Sequence, residues 1–279
     1  MVTVCALVVG DLLSEELDVD AQEERMRRTL RREQLIAFGE VDVVRDVISG
    51  ITDVAQANGI AGLDSNTIVL GWPRDTPRLI EFFHVARRLE RLHKSTVIAR
   101  IQPGLIPRAG EEREIHIWWG GLQRNGDLML LLAHLVTRNP EWRDTRIRIL
   151  SLASNEHMKQ KTESHLERLI PEIRISAESK VMILPKDRTV REIIHHESAE
   201  ADLVFLGLNL PEPDAMESYA ERLSDLSGPL RSVFFVKNSS LFVGKLIQTV
   251  EEVAAAVNPQ PPAPVAAPPE AAAPADAGR

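Results

Sequence analysis

The sequence predicts an α/β fold with mainly parallel sheets, built as two tandem halves. Three observations predict it. Short apolar runs without polar alternation, as expected of strands buried on both faces, alternate with longer segments of helical period. A complete strand–helix–strand unit lies mid-chain, at residues 114–152. The chain also repeats itself: Asn66-Thr-Ile-Val-Leu-Gly71 matches Asp202-Leu-Val-Phe-Leu-Gly207 at an offset of 136, and the same offset lays Thr96-Val-Ile98 on Ser232-Val-Phe234.

Taken in order, residues 3–9 are β-branched and apolar and read as a buried strand that ends at Gly10-Asp11. Residues 18–32 are highly charged and read as an exposed helix, and residues 34–38 as a second short strand. Val43, Val44, Val47, Ile48, Ile51, Val54 and Ala55 follow helical spacing and stop near Asn58-Gly59. Residues 67–70 form a strand closed by Gly71. Pro73 and Asp75 open a helix whose buried face is Leu79, Phe82, Phe83, Ala86 and Leu89, and residues 95–101 are the next strand. A linker with Pro103, Gly104, Pro107 and Gly110 occupies 102–113.

In the central unit a strand at 115–119 ends in Gly120-Gly121. A polar turn at 123–127 follows, then an apolar helix at 128–136, a break at Pro140 and a strand at 146–152. Helices are expected at 155–169, at 189–198 behind a Thr cap, and at 214–226, with strands at 180–184, 202–208 and 231–237. Phe242, Val243, Leu246, Ile247, Val250, Val253 and Ala254 recur at helical spacing over 241–257. Residues 258–279 are a Pro/Ala tail too poor in large apolar residues to fold, and so are expected to be disordered. The division is then a first half at 1–101, a linker at 102–113, a second half at 114–240, a C-terminal helix and a tail.

Read backwards from the matched strands, the 189–198 helix pairs with the Val43 helix, the 180–184 strand with 34–38, and 146–152 with 3–9. The second half then has five strands and the first only four. The first half is expected to lack its opening strand, as if the chain began after it; a divergent half that never had this strand is the alternative.

Composition narrows the function. The net charge of −8 and pI near 5.6 leave no basic footprint for nucleic acid. Aromatic residues are 4% of the chain, so the core is aliphatic. Cys5 is the single cysteine, which excludes an internal disulfide and fits a reducing, cytoplasmic setting. The longest apolar run, 128–136, is far short of the ~20 residues of a spanning helix.

Several residues invite a chemical reading. His195-His196-Glu197 lacks the four-residue spacing of a helical zinc site and reads as a solvated helix end. His157 and His165, eight apart on a charged helix, read the same way. His116 alternates with Ile115 and Ile117 and reads as a strand residue at a sheet edge, and Cys5 as an inert buried thiol. No Ser, His and Asp share a nucleophile motif, so no catalytic or metal residue is assigned.

Three stretches carry a family resemblance. They are Asn66-Thr-Ile-Val-Leu-Gly71; the central Ile115-His-Ile-Trp-Trp119, Gly126-Asp-Leu, Trp142-Arg-Asp and Thr145-Arg-Ile-Arg-Ile149; and 201–207 with 232–237. On these residues the chain resembles the cytosolic C-terminal region of the cation-chloride cotransporters, the sodium–potassium–chloride and potassium–chloride symporters, over roughly 3–240. The resemblance implies two universal-stress-protein-like halves packed as a homodimer beneath a transporter membrane domain. It implies a regulatory or dimerisation role, no enzyme activity and no cofactor. The ion-binding membrane domain of the family is absent from these residues, so the resemblance assigns no transport to them.

Universal-stress-like halves raise the alternative of a soluble nucleotide-binding protein. The glycine pairs of its nucleotide-binding members are missing: Trp72-Pro-Arg-Asp follows Gly71, and Leu208-Asn-Leu-Pro follows Gly207. Ligands of open α/β sheets sit beyond the carboxyl ends of strands. Here that crevice would be lined by Gly120, Gly121, Asn125 and Asn209, with Asp127 opposing an anion. Trp118 and Trp119 face opposite sides of the sheet and read as core or, alternatively, as part of an interface with Phe242, Leu246 and Val250. Gly71 and Gly207 are expected to make tight turns that resist a β-branched residue.

Overall fold

The computed structural model describes residues 2–11, 18–60, 63–102, 113–120, 123–172 and 175–240. All of these fall within one compact unit, Met1–Gly244; a second, Lys245–Arg279, lies outside the described residues. The elements run β1 Thr3–Val9, α1 Val19–Arg32, β2 Phe38–Val44, α2 Val47–Ala57, the two-residue strands β3 Gly59–Ile60 and β4 Leu63–Asp64, β5 Thr67–Gly71, α3 Thr76–Arg91 and β6 Ser95–Ile101. After the linker come β7 Arg113–Trp118, α4 Gln123–Thr137, β8 Thr145–Ala153, α5 Glu156–Glu172, β9 Ala177–Ile183, α6 Val190–Glu197, β10 Leu203–Gly207, α7 Met216–Ser227 and β11 Ser232–Lys237.

Helix starts follow their caps. The Asp18, Asp46 and Asp75 carboxylates each accept from backbone N–H groups of the first turn. Thr189 and Glu192 form a capping box at α6. Asp46 also corrects one boundary. Val43 and Val44 belong to the end of β2, not to the following helix, because the Asp46 cap starts α2 at Val47. Residues 34–37 are not the expected strand either: Gln34 sits at φ 52° in the turn after α1, and the strand begins at Phe38. The expected polar turn at 123–127 is the first turn and a half of α4.

The second half forms an unbroken sheet in the order β11-β10-β7-β8-β9, all parallel. Its first strand, β7, sits at the centre. The sheet continues from β11 into β6 by an antiparallel pairing and ends with β5, so the last strands of the two halves lie side by side. Alternate side chains feed two cores. Trp118, Val204, Leu206 and Phe235 pack beneath α3, α6 and α7, while Ile115, Ile117, Phe205 and Val236 pack beneath α4 and α5.

The rest of the first half is arranged differently. β1 and β2 form a separate parallel pair. Helix α2 touches both pieces: Ile48 and Ile51 pack with Ile68 and Leu70 of β5, and Gly50 lies against Val44 of β2. One edge of β1 and one edge of β5 have no strand partner among the described residues. The ladder geometry says which groups face outward. Asn66 O accepts from Ser95 N–H and Trp72 N–H donates to Ala99 O, so Thr67, Val69 and Gly71 turn their backbone groups away from β6. Val2 O accepts from Phe38 N–H and Gly10 N–H donates to Val44 O, so Thr3, Cys5, Leu7 and Val9 turn theirs away from β2. In the second half, β7 lies between β8 and β10.

Candidate functional site

The crevice beyond β7 and β10 is filled by the protein itself. Asn125, buried in the first turn of α4, donates from Nδ2 to Leu208 O (3.2 Å) and accepts at Oδ1 from Asn238 N–H (2.9 Å). It ties α4 to the ends of β10 and β11. A Cβ on Gly207 would lie 3.4 Å from the same Nδ2. The backbone N–H of Asn209 donates to Tyr219 Oη (3.0 Å), and its side chain accepts from Leu210 N–H. Gly120 is open, and Gly121 lies outside the described residues. Asn125 and the Asn209 backbone, expected to cradle a phosphate, are thus each engaged by other groups of the protein.

The glycine constraints fall elsewhere than the sequence suggested. Neither Gly71 nor Gly207 sits in the left-handed region, and a Cβ on Gly71 would meet nothing within 4 Å. The tight-turn expectation for both is corrected accordingly. Gly126 and Gly50 are constrained instead: a Cβ on Gly126 would fall 2.4–2.7 Å from the Trp119 ring, and one on Gly50 2.6–3.0 Å from the Val44 side chain. A glycine inside a helical pattern signals such a close approach.

Trp118 and Trp119 are both core residues, 6% and 7% exposed. Trp118 belongs to the core under α3, α6 and α7, and Trp119 to that under α4 and α5. Neither has the free surface that an interface residue offers. Phe242, Leu246 and Val250 lie outside the described residues.

His116 is not at a sheet edge: β7 is internal, and the imidazole is buried. Its Nδ1 lies 2.9 Å from Ser198 Oγ and its Nε2 lies 3.1 Å from a Glu114 carboxylate oxygen. Trp118 Nε1 donates to the same Ser198 oxygen at 3.0 Å. A carboxylate only accepts, which places a proton on Nε2, and burial disfavours a second proton, so Ser198 O–H donates to Nδ1 while accepting from the indole. Burial pushes the His116 pKa down, against an opposing pull from Glu114. The Ser–His–Glu order resembles a nucleophile triad, but Ser198 is fully buried at the end of α6 and offers a substrate no approach. These groups act as a polar strut between β7 and α6.

Cys5 is exposed, contrary to the expectation of a buried thiol, because the β1–β2 pair is incompletely covered. Its Sγ lies 3.8 Å from Glu40 Oε2, and Asn58 Nδ2 donates to that carboxylate at 2.8 Å. The partial cover of the sulfur, then the charges of Glu40 and Asp42, push the thiol up to about 11. His196 is exposed, as expected of a helix end, but His195 and Glu197 are half-buried, His195 bonding Leu226 O through Nε2 and Glu197 pairing with Lys180. His165 packs against the Trp119 ring. No helix among the described residues is long and apolar enough to cross a membrane.

Among the described residues the site is packed by the protein's own side chains. The family model of solute carrier family 12 matches residues 106–190, which include β7, α4, β8, α5 and β9. The cytoplasmic domain of a prokaryotic cation chloride cotransporter aligns with 87% of this chain and 87% of its own, at 16% identity and TM-score 0.59. The chain resembles the cytoplasmic domain of the cation-chloride cotransporters. A universal stress protein from Archaeoglobus fulgidus DSM 4304 aligns with 85% of this chain and 86% of its own, at 14% identity and TM-score 0.52. The cotransporter-like chain therefore has a universal-stress-protein-like α/β fold with mostly parallel sheets.

Proposed function

We propose that this chain is a non-catalytic cytosolic module of a cation-chloride-cotransporter-like membrane transporter. It pairs as a homodimer at the cytoplasmic face, beneath a membrane domain carried upstream in the same polypeptide or on another. The observation that carries this reading is the match to solute carrier family 12 across the central unit, joined to a likeness that spans 87% of a cotransporter cytoplasmic domain. On this reading the fold is two tandem universal-stress-like halves, the first without its opening strand. Support comes from the repeat at offset 136 and from the place of β7 between β8 and β10, while β1 and β5 each keep an edge without a strand partner among the described residues. Phe242, Leu246 and Val250 are the proposed pairing residues. Regulation then requires two packings of the scaffold whose energies the membrane domain feels differently.

Light scattering over a dilution series tests the pairing: a mass near twice 31.1 kDa that survives dilution supports it, and a monomer at every concentration counts against it. The likeness to a universal stress protein supports a second reading, a soluble nucleotide binder. A melting temperature raised by ATP would favour that reading. The scaffold reading predicts no shift, since Asn125 occupies the crevice.

A further inference from the structure

We propose that the end of α1 and the turn that follows it form a docking surface for an anionic lipid bilayer. Residues 25–32 hold five arginines and no acid. Arg25, Arg28 and Arg32 stand at i, i+3 and i+7, one row along the exposed helix, with Thr29 between them. Their carboxylate partners are weak: Arg28 meets Glu24 at 3.8 Å and Arg32 meets Glu33 at 2.8 Å, all well exposed, and Arg25 has no ion pair among the described residues. Exposed pairs of this kind exchange readily for a phosphate, which a guanidinium grips in a bidentate fork.

The row leads into an apolar tip. Leu35 N–H returns to Leu30 O (2.9 Å), closing the helix and throwing the next residue outward. Ile36 is 101% exposed. Leu35, Phe38 and Val2 are each more than half exposed, and Phe38 N–H donates to Val2 O, so all four gather at the start of the β1–β2 pair. A basic row beside projecting apolar side chains is the chemistry of an interfacial anchor, with guanidinium groups at the headgroups and the tip among the upper acyl carbons. The net charge of −8 sets the rest of the surface against an anionic membrane and leaves this edge to face it. The inference does not depend on the cotransporter reading, since either kind of protein would bind the same vesicles.

Flotation of the full chain with phosphatidylcholine vesicles, with and without 30% phosphatidylglycerol, tests it. The chain should float with the anionic vesicles at low salt, bind the neutral ones at least about tenfold less, and detach at high salt. Arg25→Glu and Arg28→Glu should each weaken binding about fivefold or more. Ile36→Asp should weaken it comparably without changing the melting temperature. Three results would overturn the proposal: no flotation, equal binding to both vesicles, or wild-type binding by Ile36→Asp. Variants that instead change only the mass in solution would make the patch a protein contact, and the lipid proposal would fall.

Discussion

Val69 and Phe205 occupy equivalent places, 136 residues apart, in strands of nearly the same composition. Val69 is 61% exposed and Phe205 is 0%. The strands do not explain the difference; their neighbours do. Phe205 lies on a strand flanked by β7 and roofed by α4, whereas β5 has neither counterpart among the described residues. A repeated sequence thus sets the same element twice, and the presence of one central strand decides whether that element becomes core.

Paired substitutions separate the two strands. Phe205→Ala should cost about 3–5 kcal/mol of unfolding free energy, the usual penalty for emptying a buried aromatic site. Val69→Ala should stay within about 0.5 kcal/mol. Equal losses in chemical denaturation would mean that β5 is covered in solution as β10 is. Gly126→Ala should cost about 1–3 kcal/mol, since its Cβ must displace the Trp119 ring, while Gly71→Ala in the first half should be nearly neutral. A neutral Gly126→Ala would show that the ring has room to move.

The buried polar strut sharpens the comparison through pH. The folded pKa of His116 lies below its ordinary 6.5, so the unfolded chain takes up the proton first. Its contribution to stability is complete above about pH 6.5 and falls as the pH drops through that value. His116→Gln should flatten that part of the stability–pH curve; an unchanged slope would place its origin elsewhere. In the first half, Cys5 should react with iodoacetamide slowly for an exposed thiol. A pKa near 11 instead of 9 leaves about a hundredfold less thiolate at pH 8. Alkylation at the rate of a free thiol would mean that the Glu40–Asp42 side of the pair is more open than described.

Much of the fold was legible in the residues. The repeat and the alternation of strands with helices foretold the parallel order, and the side chains of Asp75 and Thr189 marked helix starts that the structure keeps. Val43 and Val44 misled because a β-branched pair just before a helix fits either period, and only the Asp46 cap separates them. The crevice was less legible. Asn125 looked like a ligand-facing residue, but its partners, Leu208 and Asn238, come from more than 80 residues away and leave no local signature. The His116–Ser198–Trp118 contacts are likewise products of long-range packing.

Residue-resolved hydrogen exchange on the purified chain tests the central contrast most directly. The amides of Thr3, Cys5, Leu7, Val9, Thr67, Val69 and Gly71 turn toward the unfilled side of their strands and should exchange quickly. Leu203 and Phe205, the counterparts of Thr67 and Val69, should exchange only on global unfolding. Equal protection of both sets would contradict this contrast, because it would show that the outward edges of β1 and β5 are already paired.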